Sequence, residues 1–216
     1  KAPVSFSDLQ SPLNMLPYLL PVTDMFMEVY EDPDGLKAAA KLCSELLIDF
    51  MKEQRKLIGD SLANPGHGFA SSRAFKGVGL SNDTSIMLSE EDYDDLFKEL
   101  DEMIGDEFGG FAYHSCGIWE KKIDMVTGYR NICCADGAFT IETDHSPNKP
   151  EIFGDAFDGS GIVLNARAVG NAENSFAAFE KLWRPNQKLI CVTYCKTVEE
   201  QEQLYQRLHE MEMKTR

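Results

Sequence analysis

Two rhythms of apolar and polar positions alternate along this chain. Short, mostly apolar runs are separated by stretches in which apolar residues recur every three or four positions, the signatures of buried strands and amphipathic helices. Val4 to Leu9 reads as a short strand. From Asp24 to Ile58 helical spacing prevails, with Leu42, Leu46, Leu47 and Phe50 in step. Pro33 interrupts it, so a short helix should give way to a long one near Asp32, where Asp32-Pro33 supplies an N-cap and a first-turn proline; Gly59 is a natural stop. Asn64 to Gly68 is a glycine-rich loop, and Phe75 to Leu80 a weak strand diluted by Gly77 and Gly79. Ser89-Glu-Glu-Asp92 resembles a capping box and opens a helix reaching about Ile104. A strand then ends at His114-Ser-Cys116, followed by a short helix from Ile118 to Val126, a strand from Arg130 to Cys134 and a polar loop from Thr140 to Asp158. A strand from Ile162 to Arg167, a helix from Ala172 to Trp183, a strand from Leu189 to Cys195 and a helix from Val198 to Met213 complete the pattern. Strands separated by helices, without hairpin signals, predict an α/β fold with a parallel sheet and helices outside it. Residues 1–216 contain no repeat, low-complexity tract or linker, so a single domain is expected.

Composition narrows the function classes. With 216 residues the chain makes one large domain or two small ones, and 43% hydrophobic residues suffice for a substantial core. A formal charge of −15 argues against nucleic acid and anionic membrane as partners, since both require a basic surface. No apolar run reaches the roughly 18 residues of a membrane span. The opening Lys-Ala-Pro has neither an initiator methionine nor a signal-peptide pattern, and reads as the interior of a longer chain. The cysteines at 43, 116, 133, 134, 191 and 195 are too sparse for a disulfide scaffold, and several sit in apolar runs. Reduced thiols and a cytoplasmic location are the expectation. On a strand the neighbours Cys133 and Cys134 would point to opposite faces.

The most informative chemistry lies in Phe111-Ala-Tyr-His-Ser-Cys-Gly117. A strand ending on a histidine, a thiol and a glycine presents two soft metal ligands on a rigid element, and the glycine permits a sharp turn. Cys195 ends another apolar run, with Cys191 a deeper competitor on the same face. Three nitrogen and sulfur donors would leave one position of a tetrahedral zinc open, the catalytic rather than the structural arrangement. In parallel α/β folds active groups gather at the carboxyl ends of strands. Asp8, Asp83, His114, Cys116, Asp136, Arg167 and Cys195 all fall at or just beyond such ends as read here. Glu142-Thr-Asp144-His145 is an alternative metal or acid–base group, balanced against ordinary solvated loop charges. Gly66-His-Gly68 reads as a turn, because no Lys-Ser/Thr follows to make a phosphate loop.

These residues resemble the uroporphyrinogen decarboxylase superfamily, which includes the cobalamin-dependent methyltransferases. Ser11-Pro12-Leu-Asn-Met-Leu-Pro-Tyr18 resembles the family segment in which a proline precedes an active-site tyrosine. Asp32-Pro33-Asp34 resembles a helix start, and Gly79-Leu-Ser-Asn-Asp83 the strand ending in a substrate-facing aspartate. His114-Ser-Cys-Gly117 resembles the family's most specific motif, and Tyr194-Cys195 its last-strand position. The resemblance implies a (β/α)8 barrel of which this chain supplies a part, about strands three to eight, with the first two β/α units missing. It further implies a methyltransferase using Zn(2+) held by His114, Cys116 and Cys195, with Asp83 and Tyr18 lining the substrate cavity. The zinc would activate a thiol acceptor such as coenzyme M, and the methyl group would come from a corrinoid (cobalamin) on a partner protein. A metal-free decarboxylase acting on a tetrapyrrole, and a non-catalytic corrinoid- or ligand-binding barrel, are the alternatives. Open barrel edges would favour a homodimer or a partner segment.

Overall fold

The computed structural model describes residues 2–215. Contacts divide them into two compact units, one formed by residues up to 115 with 128–133, the other by 116–127 with 134 onward. The five strands of the sheet follow one another in sequence order, which is the α/β arrangement that the alternating pattern predicts.

In the first unit the helices are α1 (Pro12–Met15), α2 (Val22–Glu31), α3 (Pro33–Ile58), α4 (Glu90–Tyr93) and α5 (Glu99–Phe108), with strands β1 (Val78–Ser81) and β2 (Phe111–His114). The break between α2 and α3 falls where Pro33 requires it. Asp32 caps α3 by accepting a hydrogen bond from the Gly35 N–H at 3.0 Å, Pro33 occupies the first turn, and Gly59 ends the helix at φ 58°. Leu36, Ala40, Cys43, Leu47 and Met51 form the buried stripe of α3, whereas Leu42, Leu46 and Phe50 face solvent. Of the four apolar positions noted at helical spacing, only Leu47 therefore belongs to the core. β1 and β2 pair in parallel, with Ser81 opposite His114, and all four residues of each are buried. Val4 to Leu9 forms no strand. Its backbone makes only isolated bridges, Val4 to Leu62 and then Gln10 to Ser81, which leaves five strands among the described residues rather than the expected six. The helix after Ser89 is not one regular α-helix: a π turn, Asp94–Lys98, separates α4 from α5.

The second unit contains α6 (Ile123–Thr127), most of β3 (Ile132–Ala138), α7 (Pro150–Phe157), β4 (Val163–Arg167), α8 (Ala172–Leu182), β5 (Lys188–Val192) and α9 (Val198–Thr215). β3 pairs with β4 and β4 with β5, both in parallel. Its core is built on Phe153, whose ring meets Trp119 at 4.5 Å, Phe139 at 5.1 Å and Phe157 at 6.0 Å between centroids. Three boundaries differ from the sequence reading. β3 runs on to Ala138, so Asp136 lies within the strand rather than beyond it. The expected Thr140–Asp158 loop holds α7, started by Pro150 and buried through Phe153, Gly154 and Phe157. β5 stops at Val192, which places Cys195 in the connection to α9.

Candidate functional site

β1 and β2 end side by side, and their ends carry the chemistry. Asn82 leaves β1 with its N–H donating to the His114 carbonyl at 2.7 Å, so Asp83 emerges next to the histidine. His114 Nε2 lies 3.6 Å from Asp83 Oδ1, and the Ser81 hydroxyl donates to Asp83 Oδ2 at 2.7 Å. The imidazole is almost wholly buried and the carboxylate is partly open to solvent. Beneath them Tyr113 is fully buried, with its hydroxyl 2.6 Å from that of Ser85. Burial pushes the Tyr113 phenol well above its ordinary range, so it stays a neutral hydrogen-bonding group.

Cys116 follows two residues after His114, and its Sγ, a ring nitrogen of His114 and a carboxylate oxygen of Asp83 all lie within 4.8 Å of one another. Among the described residues no other group of three histidine, cysteine, aspartate or glutamate side chains comes so close. One nitrogen, one sulfur and one oxygen donor match the ligand types of zinc, so the residues present fit that metal. Asp83 was expected as a substrate contact, and here it stands as a third donor. Cys195 is half-buried beyond β5 and is outside this group. Cys191 sits on β5, where burial pushes its thiol up to about 12. Tyr18 ends a 3-10 turn after α1 and is 80% exposed.

The glycine-flanked His67 is a participant that the sequence reading took for part of a turn. The turn is there, with His67 itself at φ 47°, a conformation that costs a non-glycine residue energy. Its ring packs edge-on against His114 at 4.6 Å between centroids, and its Nδ1 pairs with Asp8 Oδ1. Gly79 on β1 permits this approach, since a Cβ there would stand 2.7 Å from the His67 Cβ. Asp8, His67, His114 and Asp83 thus form a continuous row. The available signals were a histidine between two glycines and an aspartate at the end of the Val4 to Leu9 run; neither specifies the pairing.

In the second unit Arg167, the last residue of β4, donates from Nε to Asp136 Oδ1 at 2.8 Å. Burial opposes the charge of Arg167, but Asp136, Cys116 and Asp144 together hold its pKa above the ordinary value. The Arg167 cation therefore lies within electrostatic reach of the Cys116 sulfur. Asp144 accepts from the Gly117 N–H at 2.9 Å and fixes the turn after Cys116. The Glu142 to His145 segment contributes this anchor rather than a separate cluster of donors.

No family model matches the chain, and no curated protein matches it. Among solved structures it is similar to a methyltransferase from Methanosarcina mazei, with a TM-score of 0.61 at 10% sequence identity over 98% of this chain. The match spans 58% of that protein, so this chain corresponds to little more than half its length. At such identity the likeness is one of fold: a parallel α/β sheet flanked by helices, in a partial barrel-like form.

Proposed function

We propose that this chain is part of a zinc-dependent, methyltransferase-like enzyme that moves a methyl group between a corrinoid carried by a partner protein and a thiol-type acceptor. The observation that carries this reading is the convergence of Asp83, His114 and Cys116 donor atoms within 4.8 Å at a strand end. The fold likeness to a protein described as a methyltransferase supports it. In this reading His114 and Cys116 are metal ligands, Asp83 stands beside them as donor or substrate contact, Cys195 is the remaining candidate ligand, and Tyr18 contacts substrate. A bound zinc would supply a positive charge that keeps an acceptor thiol ionised near neutral pH.

The chain's own residues supply position and charge. Ser81 orients the Asp83 carboxylate through its hydroxyl, and the Asn82 N–H to His114 carbonyl bond ties the two strand ends together. Arg167 is held at the end of β4 by Asp136, within electrostatic reach of the Cys116 sulfur. A metal-free decarboxylase would need several free cations for a polycarboxylate. Arg130 instead bridges Glu102 and Asp106, and Arg167 holds Asp136.

The test is metal content by plasma mass spectrometry on reduced protein, beside Cys116→Ser and Cys195→Ala. About one zinc per chain, lost in Cys116→Ser, is the expected result. Cys195→Ala decides whether Cys195 completes the ligand set. Full zinc retention by both variants, or no uptake by the unaltered protein, refutes the reading.

A further inference from the structure

Asp101, on the first turn of α5, is a fully buried carboxylate with no part in the chemistry above. Its Oδ2 accepts three hydrogen bonds: from the Tyr93 hydroxyl at 2.5 Å, the Tyr129 hydroxyl at 2.9 Å and the Asn82 side-chain amide at 3.0 Å. Tyr93 also reaches Asn82 Oδ1 at 2.9 Å. The single Tyr93 proton serves one of these two acceptors at a time, so Asp101 holds the Asn82 amide while the Asn82 side-chain oxygen lies within reach of Tyr93, both partners being on the α4 to α5 segment. The Asn82 backbone is held as well, its N–H by the His114 carbonyl at 2.7 Å and its carbonyl by the Ser85 hydroxyl at 2.6 Å. Asn82 itself has no exposed surface.

The π turn explains how two residues of one helical segment converge on this side chain. Tyr93 and Asp101 are eight residues apart, which at about 100° per residue would leave them roughly 80° out of line on an unbroken α-helix. A π turn inserts one extra residue, so the effective separation becomes seven, about two full turns, and the two side chains face the same way. Such a turn departs from the best helix geometry, and what it delivers here is the convergence of both side chains on Asn82.

We infer that Asp101 is a positioning residue for the Asp83–His114 pair: through Asn82 it fixes the backbone from which Asp83 emerges and the bond that joins it to His114. The functional meaning of this role rests on the metal-site reading above, but the role itself is a matter of geometry. A carboxylate accepting from two phenols and an amide is a stronger clamp than an apolar residue of the same size, because each donor bond to an ionised group is shorter and stiffer. Its Oδ1 is buried without a hydrogen-bond partner, so the group is retained at a cost in desolvation.

The experiment uses the full chain, unaltered and as Asp101→Ala, Asp101→Asn and Tyr93→Phe. Two readouts are taken: Co2+ affinity from the thiolate-to-cobalt absorption band, and amide exchange at Asn82 compared with Val29 in α2. Loss of an outer support typically costs about tenfold or more in metal affinity, so Asp101→Ala should fall by that factor. Asn82 exchange should accelerate by a similar factor with Val29 unchanged. Asp101→Asn keeps an acceptor oxygen and should stay within about threefold on both readouts, while Tyr93→Phe should give a smaller effect in the same direction as Asp101→Ala. If Asp101→Ala does not fold, Tyr93→Phe against the unaltered chain carries the comparison. Equal acceleration at Asn82 and Val29 would mark a merely structural role and overturn the inference, as would unchanged cobalt affinity with unchanged Asn82 exchange. If the unaltered chain takes up no cobalt, the metal reading fails by itself, and the exchange measurement still decides the role of Asp101.

Discussion

Asp101 should leave a readable mark on stability as a function of pH. Burial, opposed by the hydrogen bonds from Tyr93, Tyr129 and Asn82, raises its pKa from the ordinary 3.8 to about 6. A raised carboxyl pKa means that the folded chain binds the proton more tightly than the unfolded one. Its contribution is therefore complete below pH 3.8 and is lost as pH rises through about 6. A tenfold change in proton affinity is worth about 1.36 kcal/mol, so the full span is about 3 kcal/mol. Between pH 7 and pH 5, before most carboxylates titrate, the gain is about 1 kcal/mol. Asp101→Asn removes this titration altogether. Asp106 and Glu151, whose pKa values are lowered by Arg130 and chiefly by a backbone hydrogen bond respectively, titrate in both proteins and cancel in the comparison. Urea unfolding at pH 7 and pH 5, followed by circular dichroism, should show the unaltered protein gaining about 1 kcal/mol relative to Asp101→Asn as the pH falls. Parallel profiles for the two proteins would refute the reasoning, because they would mean that the buried carboxyl titrates as it does in the unfolded chain.

Further outcomes follow from the same structure. Phe153→Ala should destabilise the second unit by about 3–5 kcal/mol, since it deletes the centre of the Trp119, Phe139 and Phe157 cluster, whereas Phe50→Ala, on the exposed side of α3, should change stability by only about 0.5 kcal/mol; urea midpoints distinguish them. Iodoacetamide at pH 8, read by peptide mass spectrometry, should label exposed Cys116 well before Cys133 and Cys191, whose thiols burial pushes up to about 11 and about 12. Faster labelling of Cys191 would contradict its placement on β5. Zinc protection of Cys116 from the same reagent, lost in His114→Ala, would be expected if the two act as joint ligands; equal labelling with and without zinc would count against that.

Much of the chain was legible because local physics marks it plainly. Asp32-Pro33 and Gly59 delimit α3, and Ser89 caps α4 through its hydroxyl, as the residue types predict. β2 ends on His114 just where the apolar run gives way to His-Ser-Cys-Gly. The misreadings have equally local causes. Val4 to Leu9 mixes apolar Val4, Phe6 and Leu9 with polar neighbours as a half-buried strand would, but finds no continuous partner. Thr140 to Asp158 is rich in polar residues and prolines, yet Pro150 is at a helix start, where proline is favoured, and Phe153 and Phe157 give α7 a buried side. α3 carries two apolar stripes at helical spacing, and periodicity cannot say which one turns inward. Packing against α2 and α5 buries the stripe of Leu36, Ala40, Leu47 and Met51.

The sequence by itself determined the alternation of strands and helices, the parallel sheet that follows from it, and the presence of a histidine and a thiol two residues apart at the end of a strand. These are properties of neighbours along the chain, governed by side-chain period, capping and turn preference. Only the tertiary structure decided that Asp83 joins His114 and Cys116, that Asp8 and His67 stand behind His114, and that Tyr93 and Asp101 converge on Asn82 across a π turn. Asp83 and His114 belong to different strands, and their approach depends on the parallel register that sets Ser81 opposite His114. Such a register is fixed by the burial of whole strands and by close contacts such as Gly79 against His67, which no single stretch of sequence contains.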